Sequence, residues 1–294
     1  MATLQQWVAG ARPRTLFAAV APVVIGTAAA AQHSEPSIGI AILAAVVALA
    51  LQVGVNYAND YSDGIRGTDD ARVGPVRLVG QRLAVANNVR AAAFLSFGFA
   101  AVTGLALVAI SEAWWLLPIG IASIVAAWKY TGGDSPYGYR GLGELFVFVF
   151  FGLVATLGTM YAQTAELSWF GLAAAVGVGA IASAILVVNN LRDIPTDAES
   201  GKHTLAVRLG DTGTRRLWLG LIVVSVLALG VMAVWDVWAL VGLLSLVVVA
   251  GAVRVVMGGT QGRGLVPVLG STGRYELAYA VAVLAGVVAS RSLA

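Results

Sequence analysis

Long apolar stretches alternate with short and long polar breaks along the chain. Nine such stretches can be marked, near residues 14–32, 37–57, 90–110, 114–130, 145–164, 168–189, 216–235, 237–257 and 275–290. Most reach the ~20 residues that a helix needs to cross a bilayer. They are continuous rather than alternating apolar and polar, which predicts membrane-spanning helices and not the strands of a barrel. The polar breaks near 59–89, 131–144, 191–215 and 258–274 are long, whereas the links on the other side are only a few residues. The expected fold is all-α: a polytopic membrane protein of about nine helices, forming a single domain over residues 1–294.

Charge follows the same alternation. Of 18 Lys and Arg residues, 17 fall on the side of the long breaks, and Arg291 alone falls opposite. An excess of basic residues marks the cytoplasmic side, so the N-terminus and the long loops are expected there, in a multi-pass protein of the cell membrane. The net charge of +3 is therefore a record of topology, and no nucleic-acid partner is expected. The start of the chain also resembles a signal peptide, with Arg12 and Arg14 before an apolar run that ends in Ala28–Ala31. The first helix fits the loop-by-loop alternation without being removed, so it is expected to stay. Trp114, Trp115, Trp169, Trp235 and Trp238 sit at the opposite ends of the segments, where an interfacial aromatic belt is expected. With no cysteine and two histidines, thiol chemistry and His-rich metal sites drop out.

The unexpected polar residues are acidic and come in two clusters. The first is Asn56-Tyr-Ala-Asn59-Asp60-Tyr-Ser-Asp63, and the second is Asn189-Asn190-Leu-Arg192-Asp193-Ile-Pro-Thr-Asp197. Carboxylates at a hydrocarbon boundary are costly and usually functional. An Asp at a helix C-terminus also opposes the macrodipole. At spacings of three and four residues, each pair lies on one helical face. The clusters follow the second and sixth segments, an even separation, so both open to the same side, as two parallel four-helix repeats would place them around a central cavity. Facing each other, they offer oxygen ligands suited to Mg²⁺ and hence to a phosphate-rich ligand. Lys202 and Arg208 follow the second cluster and are suited to phosphate oxygens, and Arg12 opens the first helix. Each is also what juxtamembrane charge bias alone produces. Between the clusters, the loop 131–144 is punctuated by Gly and Pro. With Lys129 it carries Tyr137 and Tyr139, aromatic faces on which a flat acid could pack.

Asn59-Asp60-x-x-Asp63 and Asp193-x-x-x-Asp197 resemble the paired motifs of the UbiA superfamily of intramembrane prenyltransferases, and the likeness spans essentially the whole chain. The runs Ala11–Leu16, Thr131–Gly133, Pro136–Tyr139 and Gly141–Glu144 resemble, more narrowly, its branch acting on 1,4-dihydroxy-2-naphthoate. The resemblance implies transfer of a prenyl group from a polyprenyl diphosphate to an aromatic acid, with loss of CO₂, at the edge of the lipid bilayer. It implies Mg²⁺ held by Asn59, Asp63, Asp193 and Asp197, with Asp60 close by among the catalytic acids. Arg12, Lys129, Asn190, Lys202 and Arg208 would contact substrate, with Tyr137 and Tyr139 on the acceptor side. Two positions depart from the pattern: a third Asp four residues after Asp63 is replaced by Gly67, with Asp69 beyond it, and Asp134 stands where the branch carries Pro. Another aromatic acceptor such as 4-hydroxybenzoate, and a transporter of divalent cations or organic anions, stay open as alternatives. A CDP-alcohol phosphotransferase signature begins at Asp63-Gly64 but fails at Gly67-Thr68.

Overall fold

The structure is a computed structural model and describes residues 2–67 and 76–293. Asp69, Asp70 and the side chain of Arg14 lie outside the described residues. A short helix, α1 (Leu4–Gly10), precedes α2 (Phe17–His33), α3 (Ile38–Ile65), α4 (Ala86–Ser111) and α5 (Leu116–Lys129). Then come α6 (Gly143–Thr164), α7 (Trp169–Glu199), α8 (Leu205–Met232), α9 (Val237–Met257) and α10 (Gly262–Leu293). Among the described residues seven helices are long and apolar enough to cross a membrane, and α2 and α5 are shorter apolar helices. The chain is a multi-pass membrane protein.

Several helices outrun the apolar stretches that announced them. Both aspartate clusters, expected at helix ends and in loops, lie within helices: α3 continues to Ile65 and α7 to Glu199, through Pro195. The reason is packing. Asn56, Asn59, Asp60 and Asp63 are all buried, as are Asn190, Asp193 and Asp197, so neighbouring segments cover these turns. Side-chain caps fix where α3, α7 and α8 begin: Ser37, Ser168 and Thr204 accept from the backbone N–H three residues on.

The central helix is α7, lined by buried Ala, Val and Ile from Phe170 to Val188. In each half, the helix after the cluster packs along the helix that carries it, α4 on α3 and α8 on α7. At the end opposite the clusters, the lone cation Arg291 reaches Glu35 at 2.9 Å and donates to the carbonyls of Ala31 and Ser34, tying α10 to the α2–α3 link. The five Trp expected at that end are all exposed.

Helix α6 is not α-helical throughout. Residues Phe148–Val154 form a π-helical run, a form often found at functional sites. At its middle, Gly152 meets Gly179 of α7. A Cβ on Gly152 would stand 2.6 Å from Cα of Gly179, and one on Gly179 would stand 2.8 Å from Cα of Gly152. The obstruction is backbone, which cannot rotate aside. Gly179→Ala should therefore cost about 1–3 kcal/mol, the usual range for overpacking. Gly230 of α8 has open space around its Cβ position, so Gly230→Ala should be neutral or stabilising by up to about 1 kcal/mol. Thermal unfolding of both variants in one detergent checks this; equal midpoints would show that the two helices have room to part.

Candidate active site

One polar stripe organises α3. Gln52, Asn56, Asn59 and Asp63 recur at spacings of four, three and four, and all four line a cavity of about 480 Å³. Asn56 donates to the carbonyl of Ala11 at 2.9 Å and to Thr15 Oγ1 at 3.1 Å, while Gln52 donates to the same hydroxyl at 3.2 Å. These bonds hold the turn before α2 against α3 and bring Arg12 to the cavity wall. Arg12 itself has a left-handed backbone, φ 54°, a strained setting of the kind that collects at functional sites.

Asp63 is the meeting point. Its Oδ1 accepts from the Tyr139 hydroxyl and from Lys202 Nζ at 3.2 Å, and its Oδ2 lies 3.9 Å from Arg77 Nη2. Lys202 also sits 4.5 Å from the centroid of the Tyr139 ring, within cation–π reach. Asn59 Oδ1 accepts from Thr131 Oγ1 at 2.8 Å. Arg66 donates to the carbonyls of Thr131 and Gly133, fastening the tyrosine loop to the end of α3. The backbone N–H of His203 donates to the Tyr139 carbonyl at 2.9 Å, fastening the same loop to the segment after α7. The loop is thus fastened both to the end of α3 and to the segment after α7.

The second cluster contributes Asn189, Asn190, Arg192 and Asp197 to the cavity wall. Asp193 is not in that wall. Arg192 donates to both of its oxygens at 2.7 Å, so it is the guanidinium that faces the cavity and Asp193 that anchors it. Asp60 is a second correction. It lies about 100° round the helix from Asn59, outside the cavity lining, and its two oxygens accept from the backbone N–H of Leu78 at 2.6 Å and of Val79 at 3.1 Å. That clamp fixes the residues following Arg77. Lys129 and Arg208 are exposed and do not line the cavity.

Some of what the site contains was not singled out from sequence. Arg77 read as one of 17 topological charges, yet it is buried against Asp63. Glu144 entered only as the end of the Gly141–Glu144 run, without a role of its own, yet it is buried and accepts from Asn190 Nδ2 at 2.9 Å. The polar stripe on α3 was the signal that would have separated Asn59 and Asp63 from Asp60.

Below these groups the lining turns apolar. It runs along α3 from Asp63 back to Ala44, a span of about 28 Å at the helical rise, and includes Val47, Leu51, Leu105, Val108, Leu117 and Ile121. On the α6 side an aromatic row descends from the loop: Tyr137 stacks on Phe146 with centroids 3.9 Å apart, and Phe146 on Phe150 at 6.0 Å. Tyr137 donates its hydroxyl to the Ala126 carbonyl at 2.9 Å, and burial pushes its phenol well above the usual tyrosine range, so it stays neutral.

The residues present suit Mg²⁺. Among the described residues no three acidic or histidine side chains converge, which argues against a closed protein cage. Mg²⁺ is commonly held by one or two carboxylates with substrate phosphates supplying the rest. Asp63, Asp197 and the amide oxygen of Asn59 are that kind of all-oxygen partial set, ringed by Arg12, Arg77, Arg192 and Lys202.

The chain is 54% identical over 283 residues to a 1,4-dihydroxy-2-naphthoate octaprenyltransferase of Mycobacterium tuberculosis, covering 96% of this chain and 97% of that protein. Its fold matches a UbiA homolog from Aeropyrum pernix K1 with a TM-score of 0.71 at 16% identity, covering 95% of this chain and 99% of that one. It also matches a UbiA homolog from Archaeoglobus fulgidus bound to GPP and Mg²⁺, with a TM-score of 0.57 at 14% identity, over 95% and 99% of the two chains. Residues 19–263 match the UbiA prenyltransferase family, and the chain belongs to that family.

Proposed function

We propose that this protein transfers a polyprenyl group from its diphosphate to 1,4-dihydroxy-2-naphthoate, with loss of diphosphate and of the acceptor's carboxylate as CO₂, giving the prenylated quinol that a separate two-electron oxidation turns into demethylmenaquinone. The observation that carries the reading is the two-part cavity. Its head holds carboxylates and cations from both aspartate clusters, and its tail is an apolar slot about as deep as the ~30 Å hydrocarbon layer. The naphthoate relative named above, which is alike over nearly its full length, supports the acceptor. The charge bias supports a head that opens to the cytoplasm and a protein of the cell membrane.

In this reading Asn59, Asp63 and Asp197 hold Mg²⁺ together with the diphosphate oxygens. When bound, the ion neutralises charge on the departing diphosphate. Lys202 and Arg77 release Asp63 and turn to phosphate oxygens, with Arg12 and Arg192 completing the cradle. Asp193 and Asp60 act at one remove, by holding Arg192 and the segment after Arg77. The slot takes the prenyl chain. Departure of diphosphate leaves a delocalised allylic cation, which the faces of Tyr137 and Phe146 shield from water and stabilise through their π-systems. The acceptor ring attacks the cation from the α7 side.

Mass spectrometry of the product from purified protein, Mg²⁺, a polyprenyl diphosphate and a panel of aromatic acids tests the reading. A prenylated, decarboxylated naphthoate product is expected, and product from 4-hydroxybenzoate alone would reassign the acceptor. Exhaustive chelation should remove at least about 100-fold of the activity and Mg²⁺ should restore it; full activity in chelator would rule out the metal-diphosphate mechanism.

The two aspartates of the first cluster should separate. Asp63→Asn should lower turnover by at least about 100-fold at any Mg²⁺ concentration. Asp60→Asn should leave the Mg²⁺ concentration for half-maximal activity unchanged and raise the KM for prenyl diphosphate, because it loosens Arg77 rather than the metal. A parallel loss of Mg²⁺ affinity in Asp60→Asn would put that residue back among the ligands. Tyr139→Phe keeps the ring and removes the hydroxyl on Asp63. It should lower kcat several-fold with little change in acceptor KM, and a shift confined to the acceptor would move Tyr139 to the acceptor side.

A further inference from the structure

Asn189 and Asn190 are neighbours on α7, both line the cavity, and each amide is held by a different side chain. Asn189 Oδ1 accepts from Arg192 Nη2 at 2.9 Å. A guanidinium has no acceptor, so the amide cannot be turned the other way. Its NH₂ is left as the group that can serve a ligand, and no described residue accepts from it. Asn190 is set in the opposite sense. Its Nδ2 donates to Glu144 Oε1 at 2.9 Å, which leaves the amide oxygen of Asn190 as the half turned to a ligand.

Glu144 is built in for this task rather than exposed to the ligand. It is 7% exposed, absent from the cavity lining, and fixed through its backbone carbonyl by Ser183 Oγ at 3.1 Å. Its second oxygen is buried without a hydrogen-bond partner, a cost that needs a return elsewhere. Two adjacent amides, one presenting a donor and the other an acceptor, complement a ligand edge that presents an acceptor beside a donor. An aromatic ring with a carboxylate next to a hydroxyl has that edge. The carboxylate takes the Asn189 NH₂, and the hydroxyl gives its proton to the Asn190 oxygen.

We propose that Asn189 and Asn190 form a fixed donor–acceptor pair that reads the ortho-hydroxycarboxylate edge of the aromatic acceptor, with Glu144 as the positioning residue that sets the acceptor half. This deepens the function proposed above and rests on it for the aromatic acid. The pair also gives a reason for selectivity, since a ligand without the hydroxyl leaves a desolvated amide oxygen unpaired.

The test uses the full chain in detergent and two non-reacting probes, 1-hydroxy-2-naphthoate and 1-methoxy-2-naphthoate, in the second of which a methyl group replaces the hydroxyl proton. Equilibrium dialysis of the wild type should give a Kd about tenfold lower for the hydroxy acid, the factor expected for one buried hydrogen bond. Glu144→Gln can both donate and accept, so it frees the Asn190 amide to flip. In that variant the preference should fall below about threefold. Its acceptor KM should rise by about tenfold while the KM for prenyl diphosphate stays within about twofold, a split that general loosening of α7 would not produce. Equal affinity of the wild type for the two probes overturns the pair. Retention of the preference in Glu144→Gln, or an equal rise in both KM values, overturns the role of Glu144. Where Glu144→Gln fails to fold, the wild-type ratio of the two probes still decides the pair. Binding preference without any naphthoate product would count against the reaction and not the pair; product without the preference would count against the pair and not the reaction.

Discussion

One carboxylate gathers the end of the bundle where the chemistry is expected. Asp63 receives a group from each of three separate connections: Arg77 from the link between α3 and α4, Tyr139 from the link between α5 and α6, and Lys202 from the link between α7 and α8. An ionised carboxylate buried at a membrane boundary is expensive unless it is paired and hydrogen-bonded. The same requirement runs the other way, because Arg77 and Lys202 are buried as well. Two of these loops are therefore held to the site by a buried cation, and the third by the Tyr139 hydroxyl. The helices set where the loops start, and Asp63 sets where they meet.

This arrangement also explains why the cavity carries an excess of cations around few acids. Diphosphate brings more negative charge than the two lining carboxylates. Arg12, Arg77, Arg192 and Lys202 line the head beside Asp63 and Asp197, a setting suited to an anionic ligand. Asp193 and Asp60 do not add to the lining charge. They are spent on keeping Arg192 and the Arg77 segment in place.

The membrane architecture was legible in the sequence because it rests on a local quantity, the length of an apolar run. Both aspartate motifs were legible for a similar reason, since acids in apolar surroundings stand out. What was not legible depends on which way a side chain turns. Asp60 and Asp63, three residues apart, share a face by spacing alone, but only the Gln52-Asn56-Asn59-Asp63 stripe points inward, and Asp60 turns to the backbone of residues 78 and 79. Arg77 and Arg66 were hidden among charges that topology already explained, because a basic loop residue looks the same whether it faces water or a buried carboxylate. Asp193 fits the spacing of its motif, and its immediate neighbour Arg192 covers it, an i, i+1 contact that helical periodicity does not anticipate. The extra turns of α3 and α7 were missed because polarity usually ends a membrane helix, and here tertiary partners stand in for water.

The π-helical run in α6 sets the phase of a wall. The α6 residues lining the cavity come in adjacent pairs at four-residue steps: Phe146 and Val147, Phe150 and Phe151, Val154 and Ala155, Gly158 and Thr159. In an α-helix each such step advances about 40° around the axis, so three steps would turn the row about 120° away from where it began. A π-helix has about 4.4 residues per turn and drifts the opposite way. Seven residues of it within the twelve steps from Phe146 to Gly158 bring the row back almost to its starting bearing. The wall is thereby ungeared from the usual helical pitch and runs straight down the slot. A single-residue deletion inside 148–154 would restore the ordinary pitch, swing Ala155, Gly158 and Thr159 by about 100°, and present a different face to whatever lies beyond the fourth rung.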